Sequence, residues 1–267
     1  MNQQEKRKAG KLVGRGVQWC THTWNYVGGC YHACRWQMPD GEIAECYAKD
    51  VAEGIAQAFY PNGFEHHYFH PERLDEPLKL KEHARIFLDS MADLMGHWVP
   101  DDQILAVLDV CRRAHWHDFQ LLTKNAPRLL KFREAFPLNL WVGASTPPDF
   151  MFGKRLERHQ QIRMLDRTLA ILAQIDVPVR WMSVEPLSWD VAPIFAANKP
   201  LQWAVIGAAS NGPVKYQPDP RHVQNLLDVF AAQRVPVFFK GNLEWTPWLE
   251  YFPGFVPSPY MAHQETP

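Results

Sequence analysis

Seven short runs rich in β-branched and aromatic residues recur along the chain, interleaved with stretches of helical periodicity. That alternation constrains the fold more than any other feature of the sequence. The runs are VQWCT (17–21), ARIFLDS (84–90), FQLLTK (119–124), LWVGAS (140–145), VRWMSV (179–184), LQWAVIGA (201–208) and VPVFFK (235–240). They are mostly continuous apolar segments rather than alternating ones, as parallel strands covered on both faces require. Between them, Ala48, Val51, Ala52, Ile55, Ala56 and Phe59 form one helical stripe, and 101–115, 154–175 and 218–232 carry others. The pattern predicts an α/β fold: a parallel (βα) barrel, complete or partial and TIM-like, with a doubly wound open sheet as the competing arrangement. We expect a basic tail over 1–16, a single barrel domain over 17–250 with a loop excursion at 60–78, and an irregular C-terminal tail over 251–267.

Composition narrows the setting. The chain has 267 residues, 46% hydrophobic and 21% charged, ordinary for a folded protein with a large core. No window approaches the roughly 18 unbroken apolar residues of a membrane span. The basic start has no apolar stretch behind it, so no secretory signal is read there, and a cytoplasmic protein is expected. Five cysteines, an odd number, point to reduced thiols rather than a disulfide framework. A net charge of −1 argues against coating nucleic acid by bulk electrostatics, although Lys6, Arg7, Lys8, Lys11 and Arg15 make the start locally positive. The 11 tryptophans are core or lid residues, with stacking on a planar ligand open to some of them.

Three of the cysteines, Cys30, Cys34 and Cys46, fall within 17 residues, after the first predicted strand and at the start of the following helix. In a parallel barrel that is the reactive end. A thiolate at a helix N-terminus gains from the dipole and the free N–H groups, and Gly28 and Gly29 let backbone pass close to a bulky group. Three thiolates without a near fourth fit an iron–sulfur cluster that keeps one iron open. Structural zinc would take a fourth ligand such as His32, His22 or one of His66, His67 and His70. Burial as plain apolar residues is the remaining reading, and it is the one adopted for Cys111 and favoured for Cys20. His66, His67 and His70 are read as packing or, alternatively, a second metal site.

The polar residues closing the predicted strands ring the same mouth. Glu185, set before a proline at a strand end, is a candidate proton or hydrogen-bond acceptor, and Lys240 a candidate for binding a carboxylate or phosphate. A salt bridge of Glu185 with Lys240 or Lys124 is the plainer alternative. Ser90, Asp93, Lys124 and Ser210 are candidate cofactor contacts. Ser145 and Ser183 are candidates as well, weighed against local backbone capping.

These residues carry a resemblance. TWNYVGGC, the two further cysteines and CYAKD resemble the opening of a bacteriophage-associated family of uncharacterised proteins that is radical-SAM-like and has a three-cysteine motif. Six later blocks follow in the family's order: RIFLDSMADL, FQLLTKNAPRL, LWVGAST, MSVEPL, WAVIGAASNG and VPVFFKGN. The resemblance implies a radical-SAM-type barrel with a [4Fe–4S] cluster on Cys30, Cys34 and Cys46. S-adenosylmethionine would occupy the open iron, and its reductive cleavage to a 5′-deoxyadenosyl radical would act on a substrate, with a nucleic-acid base or nucleotide suggested by the phage association. Gly207, on the glycine-rich strand, joins the cofactor candidates. The sequence departs from the usual pattern in two places. C-x3-C is followed by x11 instead of x2, a gap that an MPDG turn could loop out, and Ala209 stands where the family more often has a glutamate. The alternative is a binding protein for nucleic acid or a protein partner, stabilised by zinc or a redox-inert cluster and without radical chemistry.

Overall fold

Continuous apolar strands need a partner layer on each face, and the computed structural model, which describes residues 1–8, 11–211 and 214–254, provides it. Seven parallel strands run β1 (His22–Trp24), β2 (Arg85–Leu88), β3 (Asp118–Thr123), β4 (Leu140–Ser145), β5 (Val179–Val184), β6 (Trp203–Ile206) and β7 (Val237–Phe239). They lie side by side in chain order, with Asn2–Gln3 added antiparallel to β1. A doubly wound sheet reverses its order at a switch point; this one never does, so the architecture is a curled, partial TIM-like barrel. Helices α1 (Tyr47–Glu53), α2 (Asp101–Arg113), α3 (Ala126–Phe132), α4 (Arg158–Leu172), α5 (Ala192–Ala197) and α6 (Pro220–Gln233) occupy the six successive crossovers.

Alternate residues of each strand serve two cores. Ile86 and Leu88, Val142 and Ala144, Met182 and Val184 face the helices, where they meet Ile104, Leu108, Cys111, Leu165, Leu169 and Phe230. Phe87, Trp141, Trp181, Trp203 and Phe238 face the concave side together with Trp19 and Cys20. The Trp19 ring lies 4.4 Å from Phe87 and 5.0 Å from Trp181, while Phe252 stacks on Trp203 at 5.6 Å. Burying such side chains contributes roughly 1.5–3 kcal/mol each. An open half-barrel has a wide interior, and large indoles fill it from the N-terminal side.

Gly143 is where this filling is tightest. A Cβ there would lie 2.4 Å from the Trp181 indole. Gly143→Ala is expected to cost about 1–3 kcal/mol by overpacking, read as a lowered melting temperature; an unchanged one would contradict the close approach.

Three elements differ from the sequence expectations. The first strand is His22–Trp24 rather than 17–21, because Trp19 and Cys20 turn into the concave core. The helix after Cys46 stops at Gly54, leaving Ile55 94% exposed and Phe59 62% exposed, so the apolar stripe breaks there. The helix expected over 154–175 begins at Arg158, with Lys154–Arg155 in a hairpin strand. Within residues 1–16, Glu5–Lys8 pairs with Lys11–Arg15. Of the tail expected at 251–267, residues 255–267 lie outside the described residues. No helix among the described residues is long and apolar enough to cross a membrane.

Candidate metal centre and barrel mouth

The eleven residues between Cys34 and Cys46 form a β-hairpin. Arg35–Gln37 pairs antiparallel with Ile43–Glu45, in the register Arg35 with Glu45, Trp36 with Ala44 and Gln37 with Ile43. Met38–Gly41 closes it: the Gly41 N–H donates to the Met38 carbonyl at 2.9 Å, and Gly41 takes φ +91°, natural only for glycine. The register that opposes Arg35 to Glu45 carries Cys34 and Cys46 to the next opposed position. The long gap therefore delivers its two flanking cysteines side by side.

Cys30 is brought in by the 60–78 excursion. Its N–H donates to the Phe64 carbonyl at 3.0 Å, and Phe64 packs with Ala48 and Ala52 against Cys30 and Cys46. Gly29 makes this possible: at φ +82° it lies where a Cβ would sit 1.8 Å from the His66 carbonyl oxygen. Cys30, Cys34 and Cys46 then line one small cavity with Ala33, Phe64, Glu45, Lys49 and Glu65. Burial pushes the Cys34 thiol up to about 12 and Cys30 well above its ordinary value, with Asp93 adding to the rise at Cys30. Such thiols ionise when a positive centre compensates them. Lys124, at the end of β3, is one such centre: burial opposes its charge, but Cys34, Cys46, Asp93 and Cys30 outweigh this and hold its amine above the usual range.

Among the described residues no three His, Cys, Asp or Glu side chains converge on a single point. Ligands of one zinc ion stand about 3.8 Å apart, whereas the thiolates of a cluster each hold a different iron and stand farther apart. His32, a candidate fourth zinc ligand, pairs its Nε2 with Asp93 Oδ2 at 2.8 Å, while its buried Nδ1 has no hydrogen-bond partner. Three thiols around one cavity, a helix N-terminus at Cys46 and a nearby cation form a donor set that fits a three-cysteine cluster.

Asp93, expected as a cofactor contact, ties the cysteine loop to the end of β3. Its Oδ2 accepts from His32, from Thr123 Oγ1 at 3.0 Å and from the Lys124 N–H at 2.8 Å; its Oδ1 accepts from the Met95 N–H at 3.0 Å. Burial works against its charge, but His32, the Lys124 N–H and Thr123 hold its carboxyl below the usual range. Ser90 is likewise engaged: its N–H and hydroxyl donate to Asn25 Oδ1 at 2.8 and 3.1 Å, and its carbonyl accepts from the Tyr47 hydroxyl.

Glu185 and Lys240, expected as catalytic groups, form an ion pair with each other across the mouth, their side chains 25% and 28% exposed. Asn242 organises that side, donating to the Ala208 carbonyl at 2.7 Å and Ser210 Oγ at 3.0 Å and accepting from the Ala208 N–H at 3.2 Å. Gly207 leaves room for both, since a Cβ there would lie 3.0 Å from Glu185 Cγ and 3.2 Å from Asn242 Oδ1. Ser145 and Ser183 are buried and register partners at the ends of β4 and β5. Sequence reasoning missed Asn25 and Asn242. Their signal lay in asparagines just past strand ends, Asn25 directly after Trp24 and Asn242 three residues after Phe239. The histidines at 66, 67 and 70 do not gather: His67 pairs with Gln103 at 2.9 Å, His66 packs edge-on to Tyr68, and His70 faces Glu72 at 3.3 Å. A cleft of about 530 Å³ follows β7, walled only by Leu243–Thr246 and Trp248, without polar groups from other strands.

Asp89, just beyond β2, is a buried carboxylate with one oxygen accepting from the Val27 N–H at 3.1 Å, beside the buried Tyr26 hydroxyl. Burial pushes its carboxyl well above the ordinary value. The native state then binds a proton more readily than the unfolded chain, so this group's stability is present below about pH 4 and lost as pH rises through the raised value. Asp89→Asn, which also suits the φ of +53°, is expected to raise the melting temperature at pH 7 and to lose that advantage below about pH 4. Equal gains at both pH values would refute it.

Sequential parallel strands left open on one side, with a three-thiol loop behind the first, define a partial, TIM-like parallel barrel. The chain belongs to the family described as Protein of unknown function (DUF5131), which it matches over residues 15–252. Among solved structures it is similar to spore photoproduct lyase. A singly substituted form of that protein superposes with a TM-score of 0.50 at 10% identity, covering 79% of this chain and 62% of the other. Its complex with dinucleoside spore photoproduct gives 0.48 at 9% identity, covering 82% and 64%. A doubly substituted form with bound AdoMet and dinucleoside spore photoproduct gives 0.48 at 8%, covering 82% and 64%. At this identity the likeness is one of fold, and the chain spans 62% to 64% of the length of these three solved chains. No curated protein matches the chain by sequence.

Proposed function

We propose that the chain is a radical-SAM-type iron–sulfur enzyme acting on a nucleic-acid base or nucleotide, in the cytoplasm, where its five free thiols stay reduced. The observation that carries this reading is the cavity shared by Cys30, Cys34 and Cys46 at the C-terminal end of a partial parallel barrel. A [4Fe–4S] cluster on these cysteines, with S-adenosylmethionine, would supply one-electron reductive cleavage of that cofactor. The chain's own part is to hold and orient. Cys34 and Cys46 are opposed by the hairpin, Cys30 is held by Phe64, and Lys124 offsets their negative charge. Lys124, Ser145, Ser183 and Gly207 stand at strand ends and Ser210 in the hairpin beyond β6, where cofactor polar groups would lie, and Glu185 with Lys240 offers an acceptor and a donor on the facing side. Ser90 and Asp93 act by positioning.

The substrate class comes from two sources: the phage association implied by the sequence resemblance, and the dinucleoside bound by spore photoproduct lyase. The test is anaerobic purification, reconstitution with iron and sulfide, reduction, and addition of S-adenosylmethionine. Formation of 5′-deoxyadenosine is expected. Failure to bind iron, or a bound zinc that resists exchange, would overturn the proposal. A stable cluster without cofactor cleavage would favour the binding-protein alternative.

A further inference from the structure

A second hairpin leans over the cysteine loop. Phe150–Met151 pairs with Lys154–Arg155, and Phe150 is also the register partner of Arg35, the residue after Cys34. The turn is Phe152–Gly153, with φ of +52° and +73°. Two successive positive φ values belong to a hairpin turn that favours Asn-Gly, and a bulky aromatic at its first position is strained. Strain of this kind persists where the surroundings enforce it and clusters at ligand clamps. Here the Phe152 N–H donates to the His32 carbonyl at 2.6 Å, inside the cysteine loop. The strain is not spent on burying the ring, which is 48% exposed beside His32 and the exposed His97 at 5.2 and 5.9 Å.

Cations stand along the same hairpin, at the neighbouring Phe150 ring. The guanidinium groups of Arg35 and Arg155 lie 4.9 and 5.9 Å from the Phe150 ring. Lys154, Arg155, Arg158 and Arg163 are exposed, with Glu157 the one carboxylate among residues 150–163. Exposed aromatic faces interleaved with cations suit a flexible polyanion bearing planar groups, since bases stack on rings while phosphates pair with lysine and arginine.

We infer that the Phe150–Arg155 hairpin is a single-stranded nucleic-acid contact, with Phe152 stacking on a base beside the cysteine loop and Lys154 and Arg155 pairing with the flanking phosphates. The inference rests on the proposed function only for what happens after binding, and it names the form in which the substrate is presented.

The test is fluorescence anisotropy of the full 267-residue chain, purified anaerobically, with a labelled single strand of about twelve nucleotides. Phe152→Ala is expected to weaken binding about tenfold or more, the range for losing one base stack, and Phe152→Trp to retain it. Phe152→Gly should weaken binding while raising the melting temperature, because glycine relieves the turn; a purely structural aromatic would not show these opposite changes. Lys154→Gln with Arg155→Gln should lower the slope of log K against log salt by about 1.4, for two phosphate contacts on a single strand. It should also weaken heparin binding, which Phe152→Ala leaves intact. Strand binding indifferent to Phe152→Ala and Phe152→Gly, absence of strand binding, or equal binding of a duplex overturns the inference. Strand binding without 5′-deoxyadenosine formation overturns the proposed chemistry but not this surface; 5′-deoxyadenosine without strand binding does the reverse.

Discussion

Replacing Cys46 by alanine is expected to empty the cysteine loop of reconstituted iron and to abolish cofactor cleavage. Cys46 caps α1 and opposes Cys34 at the end of the hairpin, so the loss removes one of three donors rather than a distant support. Losses behind the ligands alone typically lower metal affinity or activity 10–100-fold, so loss of a ligand should exceed about 100-fold. The hairpin register adds a sharper version. Deleting Trp36 alone shifts one strand by a residue and turns Cys46 away from Cys34, whereas deleting Trp36 and Ala44 together removes an opposed pair and keeps the two cysteines facing. Iron content and the cluster absorption band should follow the second variant and not the first. Full iron binding by Cys46→Ala would refute the ligand assignment.

The second large effect belongs to Asp93. Asp93→Ala leaves His32 Nε2, the Thr123 hydroxyl and the N–H groups of Lys124 and Met95 without their common acceptor in a buried site. Removing one side of a buried charged network costs about 3–5 kcal/mol, or roughly 10 °C in melting temperature for a chain of this size. Because the folded-state value of this carboxyl is lowered, its stabilisation is complete above about pH 4 and is lost as pH falls through that lower value. The difference between the native chain and the variant should therefore be flat near neutrality and narrow in acid. Released from Asp93, His32 no longer anchors the loop between Cys30 and Cys34, so iron binding should weaken as well. Asp93→Asn keeps the shape with one acceptor oxygen and should fall between. A variant with unaltered melting and full iron would show that the network does not hold the loop.

Strand and site were legible to different degrees. β4 and β5 lie at the predicted residues, 140–145 and 179–184, because both are mostly apolar and, apart from the half-buried Arg180, buried on both faces. The first strand was misplaced because VQWCT has the same apolar character, and only the cavity inside the half-barrel draws Trp19 out of the sheet. α3 and α5 were not predicted; each is short, with a proline in its first turn, so neither offers several turns of apolar periodicity. The stripe after Cys46 looked continuous in sequence, yet Gly54 ends the helix and exposes Ile55.

Local order along the chain was enough to set the strand–helix alternation and to put three thiols at the mouth, because burial periodicity and loop position are properties of neighbouring residues. Contacts between distant segments needed the fold. The opposition of Cys34 and Cys46 depends on a hairpin register, the Glu185–Lys240 pair joins β5 to β7, and Asp93 ties a loop after β1 to the end of β3. Phe152 was indistinguishable from a core aromatic until the turn geometry left its ring exposed. Side-chain partners across tens of residues are chosen by geometry, and one residue of register changes them all.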